Sequence, residues 1–307
     1  MSTMTARNAP AAGAAARPRT ATRRRRRLRI TGGDVLSWVF IVLLIAFAVI
    51  PMAWMLSTSL KSQFAAIQQP PRWIPAQPTL DQYKLLLSPT NTIGTRFLRL
   101  FWNSFIVSIS TTILGVAIAV PAAYAFSRFR FPGRDALFFA VLVRNMFPAV
   151  VFLIPLFLLM KWLHLVGNYA SLILTYLTFG LPLSIWLLKG FFDNIPEELE
   201  RAARIDGATR FRAFWQIVMP LSAPGLIATS IFTFIQAWNE YVYARTFLNR
   251  DVLLTLQPGL QKFFGEFSTN WPGLMAAQFV SSVPVVVLFL VLQRYFVRAL
   301  AEGATKA

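Results

Sequence analysis

An all-α membrane protein, six transmembrane helices with a further cytoplasmic helix between spans four and five, is what this sequence predicts. Three observations carry that expectation. Hydrophobic residues make up 56% of the 307 and charged residues only 14%, about half the usual globular share, and the mean hydropathy is +0.55. Several apolar runs are long enough to cross a bilayer. One long polar stretch, Ile195 to Leu221 (IPEELERAARIDGATRFRAFWQIVMPL), interrupts the apolar runs of the second half.

Composition also excludes chemistry. There is no cysteine, so neither a disulfide framework nor a thiolate metal site exists. The single histidine, His164, rules out multi-histidine metal sites. The net charge of +18 fits basic residues flanking membrane spans better than nucleic-acid binding. No aromatic-interleaved basic groove accompanies it.

Residues 1–33 are rich in Ala, Pro, Thr and Arg and hold the run Arg23 to Arg27. Such a segment buries too little to offset its ordering entropy and is expected to be a disordered basic tail. The run is read as a topology signal touching anionic headgroups. A secretory or twin-arginine signal and a nucleic-acid contact are the competing uses. No small-residue cleavage site follows.

Span one is expected over about Val35–Leu60, with Pro51 inside it. Lys61 to Arg96 is polar and carries QQPPRWIPAQP, whose prolines forbid a long helix. Span two covers about Phe97–Phe126. There Ser108, Thr111, Gly115, Ala119 and Ala122 or Ala123 recur at helical spacing, and such a stripe lets helices approach closely. Pro132-Gly133 makes a tight basic turn. Spans three to six follow at about Ala136–Leu159, Tyr169–Leu188, Ala223–Ala244 and Leu274–Phe296. Six spans put both termini on one side. With the N terminus inside, the inner segments hold twenty basic residues against eight outside, so both termini and the Ile195–Leu221 stretch are expected in the cytoplasm.

Within that stretch Pro196 suits a helix start. Glu197, Glu198 and Glu200 suit the positive end of its dipole. Leu199, Ala202, Ala203 and Ile205 or Asp206 form a narrow face, and Gly207 ends or bends the helix. A second helix over about Thr209–Val218 would place Phe211, Phe214, Trp215 and Val218 on one face, with Met219-Pro220 stopping it. The pattern alone leaves two uses open: a knob for a cleft on another protein, or a helix lying on headgroups.

This segment resembles the cytoplasmic loop of the inner-membrane permeases of ATP-binding-cassette (ABC) importers. Ala202, Ala203, Asp206, Gly207, Ala208, Phe214, Ile217 and Pro220 match its Glu-Ala-Ala, three residues, Gly pattern and the ending that follows. Arg201 stands where the motif has Glu, with Glu200 adjacent, and Met219 replaces Leu. PMAWMLSTSLK, FWNSFIVS with AAYAFSRFRFPG, NMFPAVVFLIPLF, FIQAWNEYVYA and QRYFVRALAEGATKA extend the likeness to the carbohydrate-uptake branch, specifically the second permease of a maltose-type pair.

The resemblance implies a six-span permease domain over 34–298 (core about 97–298) and a cytoplasmic tail over 299–307. It implies a bacterial-type inner membrane, a second homologous permease, two cytoplasmic ATPases and an extracytoplasmic solute-binding protein. It further implies a sugar substrate moved by alternating access. Glu200, Arg201, Ala202, Ala203, Asp206, Gly207 and Ala208 would couple to the ATPases. ATP and Mg would sit on those partners, since no G-x-x-x-x-G-K-[ST] loop occurs in this chain, which needs no cofactor or metal of its own. Phe263, Phe264 and Trp271 would face the binding protein.

Other residues are weighed by cost. An intramembrane Arg is expensive unless paired or watered, so Arg144, beside Asn145, is expected to face the translocation cavity rather than bond another helix or snorkel. Asn239 and Glu240 are further pathway candidates. Pairing with Arg144 or capping span five, rather than touching sugar, is the expected use of an intramembrane acid such as Glu240. An ion-coupled carrier would favour paired intramembrane acids and an inverted repeat, and neither is evident. A non-transporting anchor leaves the coupling pattern without a role.

Overall fold

The computed structural model describes residues 32–264 and 269–304. Residues 1–31 of the expected N-terminal tail therefore lie outside the described residues, as do residues 265–268 of the expected binding-protein loop and the last three positions of the expected C-terminal tail; Gly32 and Gly33 open the first helix instead. The chain divides into residues 1–49 and 50–307. Among the described residues every regular element is helical, and the one β-type contact is an isolated bridge between Phe264 and Thr269.

Helix α1 spans Gly32–Ser59 with Pro51 inside it. The proline-rich polar segment then forms only short helices, α2 (Gln63–Ile67) and α3 (Asp81–Leu87). Helix α4 runs Thr92–Arg128, capped by the Asn91 side chain, which accepts from the Gly94 N–H. It buries Ser108, Thr111, Gly115, Ala119 and Ala123, the small-residue stripe read from the sequence, with Ala123 rather than Ala122 on the buried line. A Cβ added at Gly115 would stand 3.4 Å from Leu177 and 3.5 Å from Thr233, so α4 lies close to its neighbours.

Span three is not continuous, contrary to expectation. Helix α5 (Arg134–Val143) ends in a 3-10 turn at Arg144–Met146. A second turn, Ala149–Phe152, leads into α6 (Leu153–Trp162), and the two halves are bent by 99°. Pro148 explains the break: it offers no N–H and drives Phe147 into extended backbone, at φ −92° and ψ 135°.

Helix α7 spans Tyr169–Asp193 and is followed by α8 (Glu197–Ile205). The second helix expected in the polar stretch does not stop at Met219-Pro220. Helix α9 (Arg210–Ala213) widens into a π turn at Phe214–Val218 and continues as α10 (Met219–Leu221). Pro220 cannot donate to the carbonyl four residues back, and the wider turn lets the helix pass it. The turn also splits the expected aromatic face: Phe214 and Val218 are buried, whereas Phe211 and Trp215 are exposed.

Helix α11 (Ala223–Trp238) follows a 73° bend and ends six residues short of expectation, with α12 (Val242–Phe247) beyond a break. Then come α13 (Leu256–Leu260) and α14 (Trp271–Ala304). No break separates the expected span six from the expected tail at 299, because α14 is continuous to Ala304. Among the described residues four helices are long and apolar enough to cross a membrane, and two bent pairs bring the number to six if each is one span.

Helices α4, α7 and α11 pack together around two apolar clusters. One joins Phe97, Leu100, Val107, Tyr176, Phe234, Trp238 and Phe247. The other joins Ala119, Ala123, Phe126, Leu188, Phe192, Phe214 and Val218. Between them lies a band of small and hydroxylic residues that includes Thr111, Gly115, Ser184 and Thr233.

Candidate functional site

Two groups of predicted residues come together, around α8 and around the break in span three. Helix α8 starts after Pro196 and carries three acids in its first turn. Its C terminus closes as a Schellman turn. The Gly207 N–H donates to the Arg204 carbonyl at 3.2 Å, and the Ala208 N–H to the Ala203 carbonyl at 2.9 Å. Gly207 sits at φ +88°, a left-handed conformation that strains other residues.

The faces of α8 are sorted in a way its sequence did not reveal. Glu200 is buried. Its Oε1 accepts from Arg128 Nε at 2.6 Å and its Oε2 from the Tyr124 hydroxyl at 2.6 Å. Arg128 Nη2 also donates to the Ile195 carbonyl at 2.7 Å, fixing the linker into α8. The neighbouring Ser127 hydroxyl donates to Asp193 at 2.6 Å, at the end of α7. The end of α4 is thus clasped to α7, to the linker and to α8. Arg201, Ala202, Asp206 and Gly207 are exposed, and Ala203 and Ala208 half-buried. Leu199 and Ile205 project outward, Ile205 with 87% of its surface exposed.

Arg201, at the motif's Glu position, pairs with Glu197 at 2.8 Å one turn back. The hydrogen bond from Arg201 holds the Glu197 carboxyl below the usual carboxylate range, and the bond to Glu197 raises Arg201 in turn.

At the break in span three, Arg144 lies with its guanidinium carbon 3.6 Å from the Phe179 ring centroid, a cation–π distance. Its Nη1 donates to Asn145 Oδ1 at 3.1 Å. Its Nε and Nη2 are buried and have no hydrogen-bond partner among the described residues. Phe179 also lines a cavity of about 90 Å³ with Thr111, Tyr176, Thr233, Gln236, Glu240 and Tyr243.

Glu240 does not pair with Arg144, and what it caps is α12, beyond the break, rather than the end of span five. Its carboxylate accepts from the Tyr243 N–H at 2.8 Å and the Ala244 N–H at 3.0 Å, opening α12, and from the Tyr176 hydroxyl at 2.7 Å. Asn239 is exposed at the end of α11, and Asn145 is exposed at the break.

Of the three aromatic loop residues, Phe264 and Trp271 are exposed and meet edge to face at 6.3 Å. Phe263 is turned inward. It packs on the first apolar cluster and lines a cavity of about 660 Å³ with Leu86, Arg96, Phe97 and Gly259.

Sequence reasoning missed Tyr124 and Arg128. Both lie in the family-like run AAYAFSRFRFPG, where only the basic turn drew notice. It also missed Asn103, whose Nδ2 donates to the Val252 and Leu254 carbonyls at 2.9 and 2.8 Å. Ser104 beside it accepts from the Leu256 N–H at 2.7 Å. The FWNSF run was visible, but its partners some 150 residues on were not.

Comparison with known proteins places this geometry. Residues 112–302 match the family model described as binding-protein-dependent transport system inner membrane component. The sulfoquinovosyl glycerol transport system permease protein SmoH of Agrobacterium fabrum is 37% identical over 275 residues, covering 89% of this chain and 94% of that protein. The trehalose transport system permease protein SugB of Mycobacterium tuberculosis is 35% identical, covering 86% and 94%. A chain of a bacterial ABC transporter involved in the import of the acidic polysaccharide alginate superposes with TM-score 0.72 at 25% identity, covering 86% of this chain and 96% of that one. The chain belongs to the inner-membrane components of binding-protein-dependent transport systems, the permease subunits of ABC importers.

Proposed function

We propose that this permease moves a sugar or sugar-like solute into the cytoplasm, and that α8 is the coupling helix through which two partner ATPases drive it. One observation carries the coupling assignment. Helix α8 turns its acid Glu200 inward and leaves Leu199, Ala202 and Ile205 exposed. A solvated surface helix sorts its residues the other way, and an exposed apolar stripe marks a docking face.

ATP and Mg belong to the ATPases, and the permease contributes no ATP chemistry. The other partners are a second, homologous permease, a solute-binding protein outside and the surrounding lipid. The charge bias supports six spans over 34–298 with both termini cytoplasmic, the residues from 299 being the cytoplasmic end. Relatives named for sulfoquinovosyl glycerol and trehalose support a sugar-like cargo.

Sugar hydroxyls cannot cross hydrocarbon unsolvated, so a polar path must open to one side at a time. Arg144, with two uncommitted donors, is assigned to that path. Asn145, Asn239 and Glu240 are assigned to it as well, Asn145 bonded to Arg144 and Glu240 lining the cavity that Phe179 shares. Phe264 and Trp271 face the binding protein.

The test is capture of an ATPase. With a photo-crosslinker at Ala203, the assembled importer should yield an adduct to the ATPase subunit. Gly207→Pro, which removes an N–H and forbids φ +88°, should leave the chain inserted while separating ATP hydrolysis from uptake. No adduct, together with normal uptake in the proline variant, would end the coupling assignment.

A further inference from the structure

We propose that Arg128 and Tyr124 are positioning residues that make α4 a push rod. The clasp on Glu200 passes the displacement of α8 into α4, and Asn103 and Ser104 pass it on to the segment 252–256. This rests on the coupling assignment and says where the movement goes next.

The covalent routes out of α8 are not continuous helix. Towards α11 the chain passes Gly207 at φ +88°, a π turn and a 73° bend. Towards α7 it passes Asn194 to Pro196, where the Ile195 carbonyl is itself held by Arg128. The non-covalent route is stiff. Arg128 and Glu200 side chains are 9% and 12% exposed, and both carboxylate oxygens are bonded at 2.6 Å. Charge-assisted bonds in a dry setting hold their geometry tightly. Glu200 is consequently spent within this chain and is not available to an ATPase.

Between its ends α4 meets α7 and α11 through Ser108, Thr111, Gly115, Ala119 and Ala123. Such a stripe lets the backbones approach closely, so α4 stays in direct contact with both neighbours at Gly115. At the far end, Asn103 bonds the Val252 and Leu254 carbonyls and Ser104 the Leu256 N–H. One helix therefore joins the proposed ATPase contact to the segment leading into the aromatic loop.

The assembled importer in lipid nanodiscs tests this through basal ATP hydrolysis and its stimulation by the solute-binding protein. Arg128→Gln should lose stimulation by about tenfold, since it strands a buried carboxylate. Tyr124→Phe, which deletes one bond to a charged group, should lose less. Asn103→Ala should repeat the phenotype from the other end. Basal hydrolysis per assembled importer should stay within about twofold throughout, because the clasp lies outside the ATPase.

A purely structural clasp would lower basal and stimulated rates together, and that result overturns the proposal. Full stimulation in Tyr124→Phe and Asn103→Ala overturns it as well, and these two decide the matter if Arg128→Gln does not accumulate. Gly207→Pro separates the two failures. If it uncouples while the clasp variants remain stimulated, only the push rod falls; if it does not, the coupling assignment falls first.

Discussion

Arg128 and Arg144 are both arginines at the ends of apolar helices, and the protein treats them oppositely. Arg128 spends its donors on Glu200, Ile195 and Ser127. Arg144 commits one nitrogen to Asn145, rests on Phe179, and leaves Nε and Nη2 buried and unbonded among the described residues. A satisfied cation holds parts in register. An unsatisfied one is costly, and its retention points to a partner that comes and goes. On the roles proposed above, the contrast separates the device that would move the helices from the path they would open.

The sharpest way to break that contrast is to remove each cation in turn. Arg128→Leu leaves Glu200 buried without its counter-charge and should cost about 3–5 kcal/mol, read as a drop in unfolding temperature in detergent. Arg144→Leu should leave the unfolding temperature unchanged or raised, because it removes idle donors, while uptake of the sugar favoured by the binding protein falls. Equal destabilisation by the two changes would erase the distinction.

A finer test uses Glu240, whose carboxylate is fully used yet faces the cavity. Glu240→Gln keeps one acceptor but loses the paired cap of α12, at about 1–2 kcal/mol; uptake should fall only in step with folded protein. A selective loss of uptake at full stability would move Glu240 into the path.

The smallest effect concerns pH. Glu197 is held below the usual carboxylate range by Arg201. Its pair therefore supports α8 at neutral pH, and that support is lost as pH falls through the depressed value. Hydrogen exchange at the α8 amides should rise only below the ordinary carboxylate range, and Glu197→Gln should abolish that rise.

The helices that span as single pieces were legible because hydropathy over twenty-odd residues leaves little choice, and the stripe from Ser108 to Ala123 because helical spacing shows a face directly. The bends after Arg144 and at Ser222 were not. Hydropathy is blind to direction: Pro148 falls in an apolar run that reads as continuous, and Met219-Pro220, which reads as a stop, is passed by a π turn so that the bend comes at Ser222. The α8 segment was recognisable from Ala202, Ala203 and Gly207. The inward turn of Glu200 was not, since its partners lie more than seventy residues upstream and an amphipathic pattern names a face without naming what it meets.

Helix α14 offers a last consequence. Its 34 residues make a rod of about 50 Å at 1.5 Å per residue, against a hydrocarbon slab of about 30 Å. With Trp271 set at one interface, the opposite tip would stand about 20 Å clear of the slab. A tilt of about 10° around mid-membrane, well inside the range such helices adopt, would sweep that tip sideways by several ångström. The rod works as an indicator needle, turning rotations too small to reshape the bilayer into displacements large enough to be felt by whatever rests against its end.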